Sequence, residues 1–121
     1  MHRTLLKSKI HGAIVTDSNI DYTGSITIDA ELMKAADILP YERVQIVNLN
    51  NGARIETYVI EGKKGSGAIE MNGGAARYAV KGDKLLIMSY IELDEDELIN
   101  YRPKVIFVDT KNRITKIKGR Q

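Results

Sequence analysis

Apolar and polar positions alternate with a period of two along most of this chain, the pattern of half-buried strands. From Arg3 to Thr16, Leu6, Ser8, Ile10 and Gly12 share one parity and Lys7, Lys9 and His11 the other. That spacing predicts a long strand bent at Gly12, since glycine inside a strand marks a bend or bulge. Asp17-Ser18-Asn19 is expected to break it, and Asp21-Tyr22-Thr23-Gly24 to form a turn. Ser25 to Ile28 reads as a short strand. Asp29 can cap a helix over Ala30–Ala36, with Leu32, Met33 and Ala36 inward and Pro40 soon after its end. Arg43 to Asn48 and Ala53 to Glu61 form a hairpin around Asn50-Asn51-Gly52. Gly62 to Gly67 reads as a flexible solvent loop, and Ala68 to Met71 as a further strand. The small-residue run Asn72-Gly73-Gly74-Ala75-Ala76 follows. Lys81-Gly82-Asp83 turns into the strand Lys84–Tyr90. Acidic residues 94–97 suit a first helical turn. Lys104–Val108 and Ile114–Ile117 form a last hairpin, and the tail after about Val108 looks dispensable to a core. Many short strands with one or two short helices argue for a mostly-β barrel or sandwich.

Composition narrows the function classes. A chain of 121 residues with 43% hydrophobic and 28% charged residues fits one ordinary globular domain, 1–121. There is no apolar run of the roughly 20 residues needed to span a bilayer, and no apolar leader at the start. These features point to a cytoplasmic protein with no membrane partner. The absence of cysteine excludes thiol catalysis and disulfides. The two histidines, His2 and His11, have no carboxylate at ligand spacing, so no metal site is expected. A net charge of +2 is too small to imply nucleic acid. The basic tail, Lys111 to Arg120, reads as a solvated end.

The chemistry-bearing residues are scattered. Gly24-Ser25 before a strand is, by itself, an ordinary turn. Arg54 and Tyr58 share parity on one strand and can face one cleft, whereas Thr57 points to the other side. A guanidinium holds a carboxylate through two parallel hydrogen bonds. A phenol, protonated at neutral pH, can donate a proton. Lys9 and His11 share a strand face, which alternating polar residues on an exposed surface would also explain. Asn72-Gly73-Gly74-Ala75 can turn backbone amides toward an anion. The loop 62–67 lacks the full phosphate-cradle pattern.

Taken together, Lys9, His11, Tyr22, Gly24-Ser25, Arg54, Thr57-Tyr58 and Asn72-Gly73-Gly74-Ala75 resemble the pyruvoyl-dependent aspartate 1-decarboxylases. The resemblance runs from about Arg3 to Val108 and includes Tyr101-Arg102-Pro103. Gly74 departs from the alanine usual in that family. The resemblance implies a small six-stranded double-psi β-barrel with one or two short helices, assembled as a homotetramer with sites between subunits. It implies self-cleavage at Gly24-Ser25 into 1–24 (the β chain) and 25–121 (the α chain), with Thr57 assisting. Ser25 would become a covalent pyruvoyl cofactor whose ketone forms a Schiff base with the substrate amine. The reaction implied is decarboxylation of L-aspartate to β-alanine, for pantothenate biosynthesis. Tyr58 would be the proton donor. Substrate binding would fall to Lys9, His11, Arg54, Thr57 and the Asn72, Gly73, Gly74, Ala75 turn. Two routes to processing stay open, a spontaneous one and one that takes a maturation helper protein as a further partner. Two alternatives stay open: a pyruvoyl enzyme acting on another small amino acid such as glutamate, and a non-catalytic, unprocessed barrel.

Overall fold

Nine strands form one sheet in the computed structural model, which describes residues 1–120. In chain order they are β1 (His2–Ile14), β2 (Asp17–Asn19), β3 (Ser25–Asp29), β4 (Arg43–Asn48), β5 (Arg54–Gly62), β6 (Ile69–Asn72), β7 (Lys84–Asp94), β8 (Lys104–Val108) and β9 (Ile114–Gly119). A single α-helix, α1 (Ala30–Ala36), and two 3₁₀ turns, Gly73–Arg77 and Glu95–Leu98, complete the described elements. The sheet order is β2-β6-β3-β5-β4-β7-β1-β8-β9. The chain itself links the β2 edge to β1, third from the opposite edge. β1 runs on through Val15 and Thr16, whose amides bond to Asp83 and Ile69, into β2 beside β6. The result is the barrel-like, mostly-β architecture that the alternation predicts. More strands join it than the six of the expected barrel, because β2 extends one edge and β8 and β9 the other.

Inward residues of these strands make the core. Ile10, Ile26, Ile46, Ile69, Leu85 and Ile106 are essentially inaccessible to solvent. Burying each such side chain stabilises the fold by about 1.5–3 kcal/mol. α1 covers the core with Leu32, Met33 and Ala36, the three inward positions of its pattern.

Two bulges shape β1. One is at Gly12, where φ is +88° and the register against β7 shifts. The other is at Lys7, which turns inward and is only 8% exposed. Its Nζ donates to the Asp37 carbonyl at 2.6 Å and to the Glu42 carboxylate at 2.8 Å. Lys7 thus holds the C-terminal end of α1, where Asp37 adopts the left-handed conformation. Burial of an ammonium is sustainable only with partners such as these.

Three expectations change. The first strand does stop, at Ile14, but Asp17–Asn19 forms a short strand of its own that pairs in parallel with Glu70–Asn72. The loop 62–67 is not free, because the Asp29 carboxylate accepts the amides of Gly65 and Gly67 (2.9 and 2.8 Å) as well as the capping amide of Glu31. Nor is the chain after Val108 dispensable. Asn112, 3% exposed, bonds to both backbone groups of Ile14 and to the Gly67 carbonyl. Among the described residues, no helix is long and apolar enough to cross a membrane.

Candidate active site at the start of strand β3

Strand lengths create the site. β3 pairs in parallel with β5, but the ladder begins only at Ile26 opposite Val59. β5 therefore runs past the start of β3, and Arg54 to Tyr58 keep β4 alone as a ladder partner. Side chains from both faces of β5 border the gap. This resolves the parity of Thr57: it alternates with Tyr58, yet both line one cleft of about 560 Å³ with Gly24, Ser25, Gly74 and Ala75.

Ser25 occupies the floor of that gap and is 2% exposed. Its φ is +117°, a region L-residues rarely enter and one that costs of order 1–3 kcal/mol. The strain sits on the serine and not on the glycine before it. Gly24 keeps an ordinary φ, and a Cβ there would meet nothing within 4 Å. Glycine at position 24 leaves its own carbonyl without a side chain beside it. The Ser25 hydroxyl accepts a hydrogen bond from Asn72 Nδ2 at 3.0 Å, and the same nitrogen lies 2.9 Å from Thr27 Oγ1. The Tyr58 hydroxyl stands 3.4 Å from the Gly24 carbonyl oxygen, at the long limit of a hydrogen bond.

The small-residue run closes the other side as a 3₁₀ turn. Gly73 has φ +58°, and a Cβ there would come within 2.5 Å of the Tyr22 carbonyl and 2.6 Å of the Gly24 nitrogen. Only glycine fits that approach. Gly74 has no such constraint. Arg77 and Tyr78, which end the turn, also line the cleft. Sequence reading missed both; the signal available was their place directly after a tight turn already assigned to the site.

The remaining candidates lie elsewhere in the chain. Arg54, though on β5, points its guanidinium at Gln45 Oε1 (2.8 Å), an atom that also accepts the Tyr90 hydroxyl. Its neighbour Glu56 faces Arg43. His11 stands in the same cross-sheet row as Arg54, through Val47 on β4 and Leu86 on β7. Three strand spacings separate them, roughly 14 Å. Lys9 lies one step along, beside Met88. The His11 ring is tilted against Phe107, with centroids 5.2 Å apart. Within one chain, then, Gly24, Ser25, Thr57, Tyr58, Asn72, Gly73, Gly74 and Ala75 converge. Lys9, His11 and Arg54 do not join them. They occupy an outward face with half-buried apolar neighbours, among them Val47, Leu86, Met88 and Phe107.

The arrangement suits one kind of chemistry. Ser25 combines a strained φ with a hydroxyl held by Asn72, and the Tyr58 hydroxyl stands near the carbonyl that precedes it. A family model described as aspartate decarboxylase matches residues 1–115. The chain is 57% identical over 115 residues to a Dehalococcoides mccartyi protein named aspartate 1-decarboxylase, covering 95% of this chain and 93% of the relative. It is 59% identical over 113 residues to a protein of the same name from Thermoanaerobacter pseudethanolicus, covering 93% and 97%. A third relative so named, from Carboxydothermus hydrogenoformans, is 54% identical over 121 residues, covering 100% and 95%.

Proposed function

The chain belongs to the aspartate decarboxylase family, and from that membership we propose that it converts L-aspartate to β-alanine and carbon dioxide after cutting itself between Gly24 and Ser25. The observation that carries the reading is Ser25 itself: buried, at φ +117°, with its hydroxyl held by Asn72 directly after the Gly24 carbonyl.

Self-cleavage balances with what the chain supplies. Ser25 Oγ bonds to the Gly24 carbonyl carbon, the C–N bond breaks, and the hydroxyl proton passes to the Ser25 nitrogen, leaving an ester. Loss of the Cα proton with cleavage of the Cβ–Oγ bond releases residues 1–24 with a C-terminal carboxylate. Water then replaces the nitrogen, which leaves as ammonia. Thr57, on the wall of the same cleft, is the proposed donor to the oxygen of Gly24 as it gains charge, a role a hydroxyl can fill. The residues present fit a pyruvoyl group at position 25, because the cleft lined by Thr57, Tyr58 and Gly74 reaches that residue and gives a ketone there room to meet a substrate amine.

When formed, that group supplies a ketone beside an amide carbonyl, able to take up the electron pair that departing carbon dioxide leaves. The rest falls to side chains. Tyr58 returns a proton to the former α-carbon. The Gly73–Ala75 turn presents backbone amides to a carboxylate. Arg54, Lys9 and His11 bind the dicarboxylic substrate across a subunit boundary in a homotetramer, where their outward face meets the cleft of a neighbour. Family membership places the product in pantothenate biosynthesis.

Intact-mass analysis of purified protein tests the proposal, with and without cell lysate as a source of a helper protein. Two pieces ending at Gly24 and beginning with a residue lacking its amine are expected, together with carbon dioxide release from aspartate in preference to glutamate. Protein that turns over aspartate as one uncut chain with an unmodified Ser25 would refute it.

A further inference from the structure

β3 and β6 are antiparallel, with Ser25 opposite Asn72 and Thr27 opposite Glu70. Ser25 and Thr27 are two residues apart on one strand, and the Asn72 side chain spans both. Its amide nitrogen reaches Ser25 Oγ at 3.0 Å and Thr27 Oγ1 at 2.9 Å. A side-chain amide has two N–H donors, so each hydroxyl oxygen takes one and neither donor is left over. Asn72 is 5% exposed, so water does not compete freely for either.

Thr27 is itself held. Gly62 on β5 packs against its methyl group, so closely that a Cβ at position 62 would lie 3.0 Å from Thr27 Cγ2. A β-branched side chain has few rotamers to choose from, and this contact restricts them further. The order of support is therefore Gly62 to the Thr27 methyl, the Thr27 hydroxyl to the Asn72 amide, and the Asn72 amide to the Ser25 hydroxyl.

We propose that Thr27 is a positioning residue for self-cleavage: by accepting one N–H of Asn72 it fixes the amide so that the other N–H points into Ser25 Oγ. The inference rests on the proposed cleavage at Gly24-Ser25 and deepens it. An amide N–H can only donate, so it occupies a lone pair of Oγ and turns the hydroxyl proton away from Asn72. The other lone pair is left for the Gly24 carbonyl carbon, and the proton is left free to pass to the Ser25 nitrogen. Without the Thr27 oxygen, the amide can rotate by half a turn and present Oδ1 to Ser25. Oδ1 would then hold the hydroxyl proton and point the nucleophile the wrong way.

The test compares Thr27→Val, which keeps the branched shape and removes the oxygen, with Thr27→Ser, which keeps the oxygen. Freshly purified full chains are followed by intact mass as they convert into two pieces, with urea midpoints measured alongside. A typical hydrogen bond contributes about 1 kcal/mol, so Thr27→Val is expected to slow cleavage roughly five- to tenfold. Thr27→Ser, which keeps the oxygen and loses the methyl packed on Gly62, should cleave at a rate between those of Thr27→Val and the unaltered chain. On an Asn72→Ala background, Thr27→Val should cause no further slowing, because Thr27 acts only through Asn72. The proposal is overturned if Thr27→Val cleaves at the unaltered rate, if Thr27→Ser is as slow as Thr27→Val, or if the two substitutions slow cleavage independently. Should Thr27→Val fail to fold, Thr27→Ala takes its place with Thr27→Ser as the rescue. An unaltered chain that never cleaves would refute the cleavage reading itself, whereas normal cleavage in Thr27→Val would refute this inference alone.

Discussion

The Tyr58 hydroxyl lies over the carbonyl of Gly24, 3.4 Å from its oxygen. At that length the contact contributes little to holding the carbonyl. Tyr58→Phe should therefore leave cleavage close to normal. Its loss as a proton donor should instead lower kcat by about 10²–10⁴-fold. Cleavage by intact mass and turnover by carbon dioxide release separate the two effects. Unchanged turnover would remove Tyr58 from its assigned role.

The adjacent glycines of the 3₁₀ turn differ in kind. Gly74 has ordinary φ and open space about it. Gly74→Ala should be tolerated and stabilise the fold by about 0.4–1 kcal/mol, by restricting the unfolded chain. At Gly73 the Cβ would strike the Tyr22 carbonyl and the Gly24 nitrogen. Gly73→Ala should displace the scissile segment and slow cleavage strongly. Thermal melts and cleavage time courses on both variants check this.

Asn112 ties the last hairpin to β1 and to the 62–67 loop through three hydrogen bonds, the one to Gly67 buried and the two to Ile14 partly so. Asn112→Ala leaves the Ile14 amide and two carbonyls short of partners, at about 1–3 kcal/mol for each group that water cannot reach. We expect a total loss of roughly 2–4 kcal/mol by urea denaturation. A loss under about 0.5 kcal/mol would mean the tail is as dispensable as its composition suggests.

Acid should loosen the same hairpin. The backbone amides of Arg113 and Lys111 donate to the Asp109 carboxylate and hold its pKa below the ordinary 3.8. A group with a depressed folded pKa contributes stability that is present above the unfolded value and lost as pH falls through the folded one. Below about pH 4 the unaltered chain should therefore lose stability faster than Asp109→Asn. Urea midpoints measured from neutral pH downward for both proteins provide the comparison; parallel curves would count against it.

Cleavage should not release the N-terminal piece. β1 lies between β7 and β8 and contributes Ile10 and Ala13 to the core, with Val15 just beyond it. The two pieces should co-elute in native size exclusion and separate only in denaturant.

Much of this molecule is legible from local pattern. The period of three to four residues in Ala30–Ala36 yields its inner face, Asp29 yields the cap, and alternation yields β4 without error. Contacts between distant segments leave no such trace. The second duty of Asp29, holding Gly65 and Gly67, joins residues 36 and 38 positions apart. Lys7 looks like an outward strand residue until the bulge that turns it inward is known. Of the site, the residues near Ser25 are legible because they come in short motifs. The separation of Lys9, His11 and Arg54 from the cleft depends on strand order, which alternation does not encode.

The torsion at Ser25 exists only while a carbonyl precedes its nitrogen, because φ is defined about that link. Severing the link abolishes the angle along with its penalty, so rejoining the halves would mean restoring a conformation that residue 25 no longer needs. On the proposed cleavage the molecule is a spring that fires once: the strain at this angle serves maturation alone and would be spent before the first substrate arrives.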